Sequence, residues 1–229
     1  MSILIFDTET TSLNEPDLIE AAWLSLDPAD LTGKTVIPEP FSQRYKPSKP
    51  ISLGAMATHH ILDEDLSDCP PSSDFALPEA AILLIGHNID FDWRVIGEPK
   101  IRRVCTLAMA RKVFPGLDSY SQSALLYYFY PNQRPAIRER LRAAHSALAD
   151  VRFCQIILRQ IIRRAFPDGL SSWKALWEFS EQARIPETMP FGKHRGVKMA
   201  ELPADYRKWA LEKMPDLDPY LRKALEAAA

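Results

Sequence analysis

The 229-residue sequence predicts an α/β fold: a mixed sheet flanked by helices, with a small helical extension at the C-terminus. Three patterns carry that expectation. Strand-like runs follow one another at the start, joined by connections too short for helical crossovers, so they read as a β-meander. A six-residue apolar run, Ala80 to Ile85, lies between Pro78 and Gly86 and is followed by a helical stretch; it reads as a central parallel strand leading into a helix. From Ser146 to about Arg164, the apolar residues Ala147, Val151, Cys154, Leu158 and Ile161 recur at helical spacing.

In chain order, the aliphatic run from Ile3 ends in Asp7-Thr8-Glu9 and reads as a buried strand over residues 3–8. Ser12 to Asp17 is a polar, Pro-containing turn. Leu18 to Leu26 is the second strand, Asp27 to Pro40 a polar connection, and Phe41 to Lys46 an alternating third strand. Pro47 to Ile61 is Pro-punctuated, then helical around Leu53 to Ala57, and ends at His59 and His60. Asp63 to Asp74 reads as a polar loop. After the strand ending at Gly86 come Gly86-His87-Asn88-Ile89-Asp90-Phe91-Asp92 and a helical Trp93 to Ile96. Arg103 to Cys105 is a short strand, Thr106 to Val113 a helix, and Ser121 to Tyr130 another. Residues 131–144 are polar and basic, without an assigned element. Pro167-Asp168-Gly169 breaks the chain, which places a domain boundary between residues 1–166 and 167–229. Beyond it, two or three short helices lie between prolines.

Composition bounds the class. At 46% hydrophobic and 25% charged residues, the chain can bury a sizeable core. No apolar run reaches about 18 residues, so no membrane span is expected. The first residues reach a carboxylate too soon for a signal peptide. Three scattered cysteines without metal-ligand spacing favour reduced thiols and a cytoplasmic location. Charge is unevenly spread: residues 1–100 carry 17 acidic and 6 basic side chains, residues 101–229 carry 13 and 22. Such an asymmetry suits a site gathering metal on one side and phosphate on the other, and equally a solvated, arginine-rich helix face between Arg134 and Arg164.

The chemistry begins with Asp7 and Glu9. Residues i and i+2 of a strand share a face, so these carboxylates converge at the end of an apolar strand. Their repulsion is relieved by a cation, and hard divalent ions take oxygen ligands. Asp92, just after another strand end, and Asp150, at the edge of the buried face of the long helix, extend the set to four, enough for two divalent ions. His145 precedes Asp150 by five residues, about 140° away on a helix, so it belongs to the helix start or the preceding loop. From there it can take a proton from water, since imidazole titrates near neutrality.

Asp7-Thr8-Glu9, the Asn88 to Asp92 stretch within HNIDFD, and His145 with Asp150 together resemble the three-motif pattern of the DEDDh 3′–5′ exonucleases. That family includes the polymerase proofreading epsilon subunit, ribonuclease T and oligoribonuclease. The resemblance spans about residues 3–164 and implies a ribonuclease H-like fold. It implies that Asp7, Glu9, Asp92 and Asp150 hold two Mg2+ or Mn2+ ions, that His145 is the general base, and that 5′-mononucleotides leave. It further implies substrate contacts from Thr8, Leu13, Met56, His59 and Asn88, with Leu13 wedged against the terminal base. The implied partner is a DNA 3′ end, single-stranded or frayed duplex, in DNA repair, or alternatively RNA; a homodimer is possible on the family pattern. A non-catalytic nucleic-acid or polymerase-binding module would usually have lost one of the five residues, and all five are present. Phe191-Gly192-Lys193-His194-Arg195-Gly196 resembles an FGK-x-RG element of a small bacterial module of unclear role. It reads as a tight turn with solvated basic side chains, or as a cradle for phosphate.

Overall fold

A computed structural model describes residues 2–37, 39–142, 144–214 and 216–228. It contains two compact units, Met1–Ser180 and Glu181–Ala229. The first unit holds a five-stranded sheet made of β1 (Ser2–Thr10), β2 (Leu18–Leu26), β3 (Phe41–Arg44), β4 (Ala81–Gly86) and β5 (Arg102–Cys105), in the order β3-β2-β1-β4-β5. The first three strands form the expected antiparallel meander, and β4 joins β1 in parallel, as β5 joins β4. β4 is therefore an interior parallel strand, but the central one is β1.

β1 is central because it is apolar on both faces. Ile3, Leu4, Ile5 and Phe6 are fully or almost fully buried. Leu4 and Phe6 pack with Leu84 and Ile89 on one side; by alternation, Ile3 and Ile5 point to the other, and Asp7 and Glu9 continue their row. Gly86 ends β4 against the β1 backbone. A Cβ there would lie 2.9 Å from the Phe6 carbonyl oxygen and 2.7 Å from Ile89 Cδ1, so only glycine allows this approach one residue before Asp7.

The helices of this unit are α1 (Leu53–His59), α2 (Asp90–Val95), α3 (Thr106–Val113), α4 (Gln122–Phe129), α5 (Arg134–Leu141), α6 (Ala147–Ala165) and α7 (Trp173–Arg184), the last continuing into the second unit. α6 packs against β1 and β2 and also against α3 and α4. Its row Ala147, Val151, Cys154, Leu158 and Ile161 is buried, as its spacing predicts. Residues 131–144 contain a helix that the sequence reading left unassigned. In α5 only Ile137 is fully buried, so the apolar periodicity is too thin to announce it. Two 3₁₀ turns, Asp63–Leu66 and Ser72–Asp74, punctuate the polar loop.

The break at Pro167-Asp168-Gly169 turns the chain between α6 and α7, while the compact units divide later, after Ser180. α7 is tied to the first unit: Cys105 N–H donates to Ser180 Oγ (2.8 Å) and Trp173 Nε1–H to the Pro28 carbonyl (2.9 Å). The second unit has α8 (Ala204–Lys213), α9 (Pro219–Ala227) and two 3₁₀ turns. Its own small core includes Met189, Met199, Leu202, Ala210, Leu221 and Leu225. All three cysteines are free thiols. Among the described residues, no helix is long and apolar enough to cross a membrane.

Candidate metal centre

Carboxylates converge where β1 ends and α6 begins. One oxygen each from Asp7, Glu9 and Asp150 can be chosen so that all lie within 4.8 Å of one another. Strand alternation delivers the first two, and the ladder places small Ala22 opposite Asp7, leaving room above it. A register shift between Glu9 and Thr10 ends the regular pairing at this point, the kind of irregularity that re-aims side chains at sheet ends.

Asp150 arrives on the first turn of α6, where unpaired N–H groups and the positive end of the helix dipole face the carboxylates. One of those backbone donors, and one from the turn before the helix, meet carboxylates. His145 N–H donates to Asp150 Oδ2 (3.2 Å), and Ala147 N–H donates to Glu20 Oε2 (2.8 Å). His145 is exposed and held at φ +65°, in the turn leading into α6 rather than on its face, as the five-residue spacing requires. Its imidazole lies close enough to Asp150 to favour the ionised carboxylate.

Asp92 is not one of the three oxygens above, yet after burial its charge is the largest influence raising the Asp7 pKa, so its carboxylate borders Asp7. Asp92 is 4% exposed, and its Oδ1 accepts from Thr8 N–H (2.9 Å) and Thr8 Oγ1–H (2.7 Å). The Thr8 hydroxyl thus helps hold Asp92 in place. α2 is anchored by Asp90 paired with Arg103 (3.3 Å), whose guanidinium stacks 3.6 Å from the Trp93 ring centroid.

The electrostatics are those of buried, mutually repelling carboxylates. Burial, then repulsion by Asp92, Asp150, Glu9 and Glu20, pushes the Asp7 carboxyl well above its usual range. Burial and the neighbouring Asp150, Glu20 and Asp92 push Glu9 up to about 8. Burial also raises Asp92, against the bonds from Thr8, and raises Asp150, against the His145 imidazole and N–H. A purely oxygen donor set, buried and mutually repelling, fits a hard divalent cation.

Glu20 is the member that sequence reading missed. It lies directly across the ladder from Glu9 and is only 5% exposed. Between the bond from Ala147 N–H and a 3.4 Å contact with Arg44 Nε, it joins β2 to the start of α6. The signal was there: a lone carboxylate in the otherwise uncharged strand LIEAAWLSL.

Beside the carboxylates lies a depression of about 490 Å3. Its walls come from Thr8, Glu9 and Thr10 of β1, Leu13 of the following turn, Ala55 and His59 of the α1 segment, and Phe91 of α2, so Thr8, Leu13 and His59 stand where substrate contacts are expected of them. Ser52 N–H donates to the Thr11 carbonyl (2.9 Å), which seats α1 beside the strand end. Asp17 accepts from both Ser48 N–H (2.6 Å) and Ser48 Oγ–H (2.8 Å), tying the 46–52 segment to the turn. Leu13 is 83% exposed at the rim. His59 is buried; Ile61 N–H donates to its Nδ1 (3.0 Å), and burial lowers its basicity. Met56 and Asn88 do not line this wall. Met56 packs toward the cluster of Ile19, Ile51, Ile61 and Leu66, and Asn88 is an exposed turn residue at φ +72°.

The chain is similar to known exonucleases. Residues 4–158 match a family model described as Exonuclease, and residues 182–215 match a small one named for a quorum-sensing-regulated virulence factor. Over an alignment of 231 positions the chain is 31% identical to Exodeoxyribonuclease 10 of Escherichia coli (strain K12), covering 97% of this chain and 96% of that protein. A solved structure of exonuclease X in complex with 5′ overhanging duplex DNA shares 27% identity at a TM-score of 0.60, covering 78% of this chain and 99% of the other. Cell-death related nuclease 4, at 15% identity and a TM-score of 0.51 over 71% of this chain and 64% of its own, shares the fold. The sheet and its flanking helices are ribonuclease H-like.

Proposed function

The chain belongs to the exonuclease family, and from that premise we propose that it shortens DNA from the 3′ end and releases 5′-mononucleotides, with a role in repair. The observation that carries this reading is the convergence of Asp7, Glu9 and Asp150 oxygens within 4.8 Å at the ends of β1 and α6. The choice of DNA rests on the resemblance to Exodeoxyribonuclease 10 along nearly the whole chain.

Asp7, Glu9, Asp92 and Asp150 would hold two divalent ions, Mg2+ or Mn2+. Bound there, such ions neutralise charge on a scissile phosphodiester and on its attacking and leaving oxygens. The protein residues do the rest. Thr8 fixes Asp92, and Glu20 fixes the first turn of α6. The depression beside Glu9 has the volume for a terminal nucleotide, and Leu13 stands exposed at its rim to wedge against the last base. His59 contributes a neutral, buried wall. His145, outside the carboxylate cluster and open to solvent, takes the proton of the attacking water as general base.

The direct test uses 5′-labelled DNA and RNA oligonucleotides of matched sequence, with magnesium and with chelator. A ladder of shortened DNA in magnesium and none in chelator is expected. Intact DNA under both conditions overturns the reading, and faster loss of RNA transfers it to RNA 3′-end trimming.

Glu20 supplies a second expectation. Glu20→Ala removes the acceptor of Ala147 N–H and loosens the turn that carries Asp150. Turnover should fall roughly tenfold to a hundredfold, with a drop in melting temperature of a few degrees. Glu20→Gln keeps an acceptor and removes a repelling charge, so its melting temperature should match or exceed that of the parent. Steady-state kinetics and thermal melts of the two variants check this.

A further inference from the structure

The second compact unit leaves aromatic rings outside its core. Phe191 is 45% exposed and Trp209 48%. With Tyr206, Lys193, Gly192, Asp205 and Met214 they line a depression of about 680 Å3. Tyr206 and Trp209, three residues apart on α8, lie side by side with ring centroids 5.6 Å apart. His194 packs on Tyr206 at 4.3 Å, and Lys193 Nζ lies 6.0 Å from the Tyr206 ring centroid. Tyr206 is half-buried against the unit's core, whereas Phe191 and Trp209 keep large apolar faces in water beside polar residues, where burial alone would have been favourable.

Charge decides the occupant. Between Glu187 and Glu201 the chain carries Lys193, Arg195 and Lys198 and no carboxylate. Lys198 pairs with Glu201 (3.6 Å), whereas Lys193 and Arg195 are exposed and make no ion pair among the described residues. The single carboxylate of the depression, Asp205, accepts Tyr206 N–H (2.9 Å). Backbone donors of the FGK-x-RG turn are largely used: Arg195, Gly196 and Val197 N–H groups donate to the carbonyls of Gly192, Met189 and His194 at 2.8–3.1 Å. The turn is therefore a poor backbone cradle for phosphate, and its contribution is its side chains. Exposed rings offer faces to bases, and unpaired cations beside them offer charge to phosphates, which is how single strands are bound without sequence preference.

We propose that Phe191, Tyr206 and Trp209, flanked by Lys193 and Arg195, form a second binding site for unpaired DNA, separate from the carboxylate centre. Successive bases stack on the rings while the two cations meet the backbone. The choice of DNA over another polyanion rests on the exonuclease reading; the aromatic and cationic chemistry does not.

Full-length protein in chelator, titrated into a fluorescein-labelled oligothymidylate of about twenty nucleotides, reads binding without cleavage by anisotropy. Tyr206→Ala/Trp209→Ala should weaken affinity about tenfold or more. Lys193→Glu/Arg195→Glu touches no core residue; it should weaken affinity comparably and flatten its salt dependence. In magnesium, turnover of a dinucleotide should be unchanged in both variants. Parental affinity in the cationic variant, with its melting temperature retained, overturns the proposal and leaves the surface to a protein partner. Loss of dinucleotide turnover in both variants also overturns it, since the surface would then serve the first site. Parental chain that binds the strand yet cleaves nothing in magnesium would instead fail the exonuclease reading and leave this one standing.

Discussion

Asp7→Asn should cut nucleotide release by about a thousandfold or more while making the metal-free chain more stable. Both effects come from one carboxylate. Asp7 is held by β1 with Glu9, Asp92, Asp150 and Glu20 all raising its pKa, after the larger effect of burial. Ionised, it is a ligand; without a cation, it is a buried like charge. The pH dependence follows with a definite sign. Glu9 is raised from 4.5 to about 8 in the folded chain, so between those values the folded state binds more protons than the unfolded state. Its contribution is fully present below the unfolded value and is lost as pH rises toward 8. Thermal melts in chelator should therefore fall from pH 5 to pH 8 in the parent chain and fall less in Asp7→Asn. Magnesium should restore the parent most strongly near pH 8, by several degrees, and the variant weakly. Equal stabilisation of both proteins by magnesium would remove Asp7 from the ligand set.

His145 carries the second large effect, of opposite character. Replacing it should lower turnover by about 10²- to 10⁴-fold while leaving cation-dependent stabilisation intact. The structure separates the two roles. Asp150 is held by the His145 main-chain N–H, which any substitution except proline keeps, whereas the imidazole is exposed at the edge of the cluster. Because φ is +65° here, His145→Asn, which tolerates the left-handed region, is the cleaner variant, and His145→Ala adds about 1 kcal/mol of backbone cost. Turnover near the parental rate in His145→Asn would dismiss the histidine as base. A lost magnesium response would instead make it part of the cation site.

How much of this could be read beforehand depended on how local each signal was. β2 and α3 have the bounds that their residue patterns predict, and the buried face of α6 follows its periodicity. Asp7 and Glu9 were legible as a pair because strand period two is a property of the covalent chain. α5 was not, since a helix with one fully buried residue has almost no apolar period. Glu20 was passed over because its partner, Ala147 N–H, lies 127 residues away.

The local sequence determined which residues could do chemistry: the carboxylates at i and i+2, the His145 to Asp150 spacing that excludes a shared helix face, and the apolar run of β1 that must be buried; that β1 rather than β4 is the central strand came from the sheet order. Tertiary structure decided how they meet. Only the packing of α6 on β1 and β2 brings Asp150 to Asp7 and Glu9, and only the approach allowed at Gly86 sets α2 where Thr8 can hold Asp92. It also assigned Thr8 to Asp92 and left the rings of the second unit uncovered. The physical reason is range. Backbone periodicity acts over a few residues, whereas burial and repulsion act between whatever the fold places within a few ångströms.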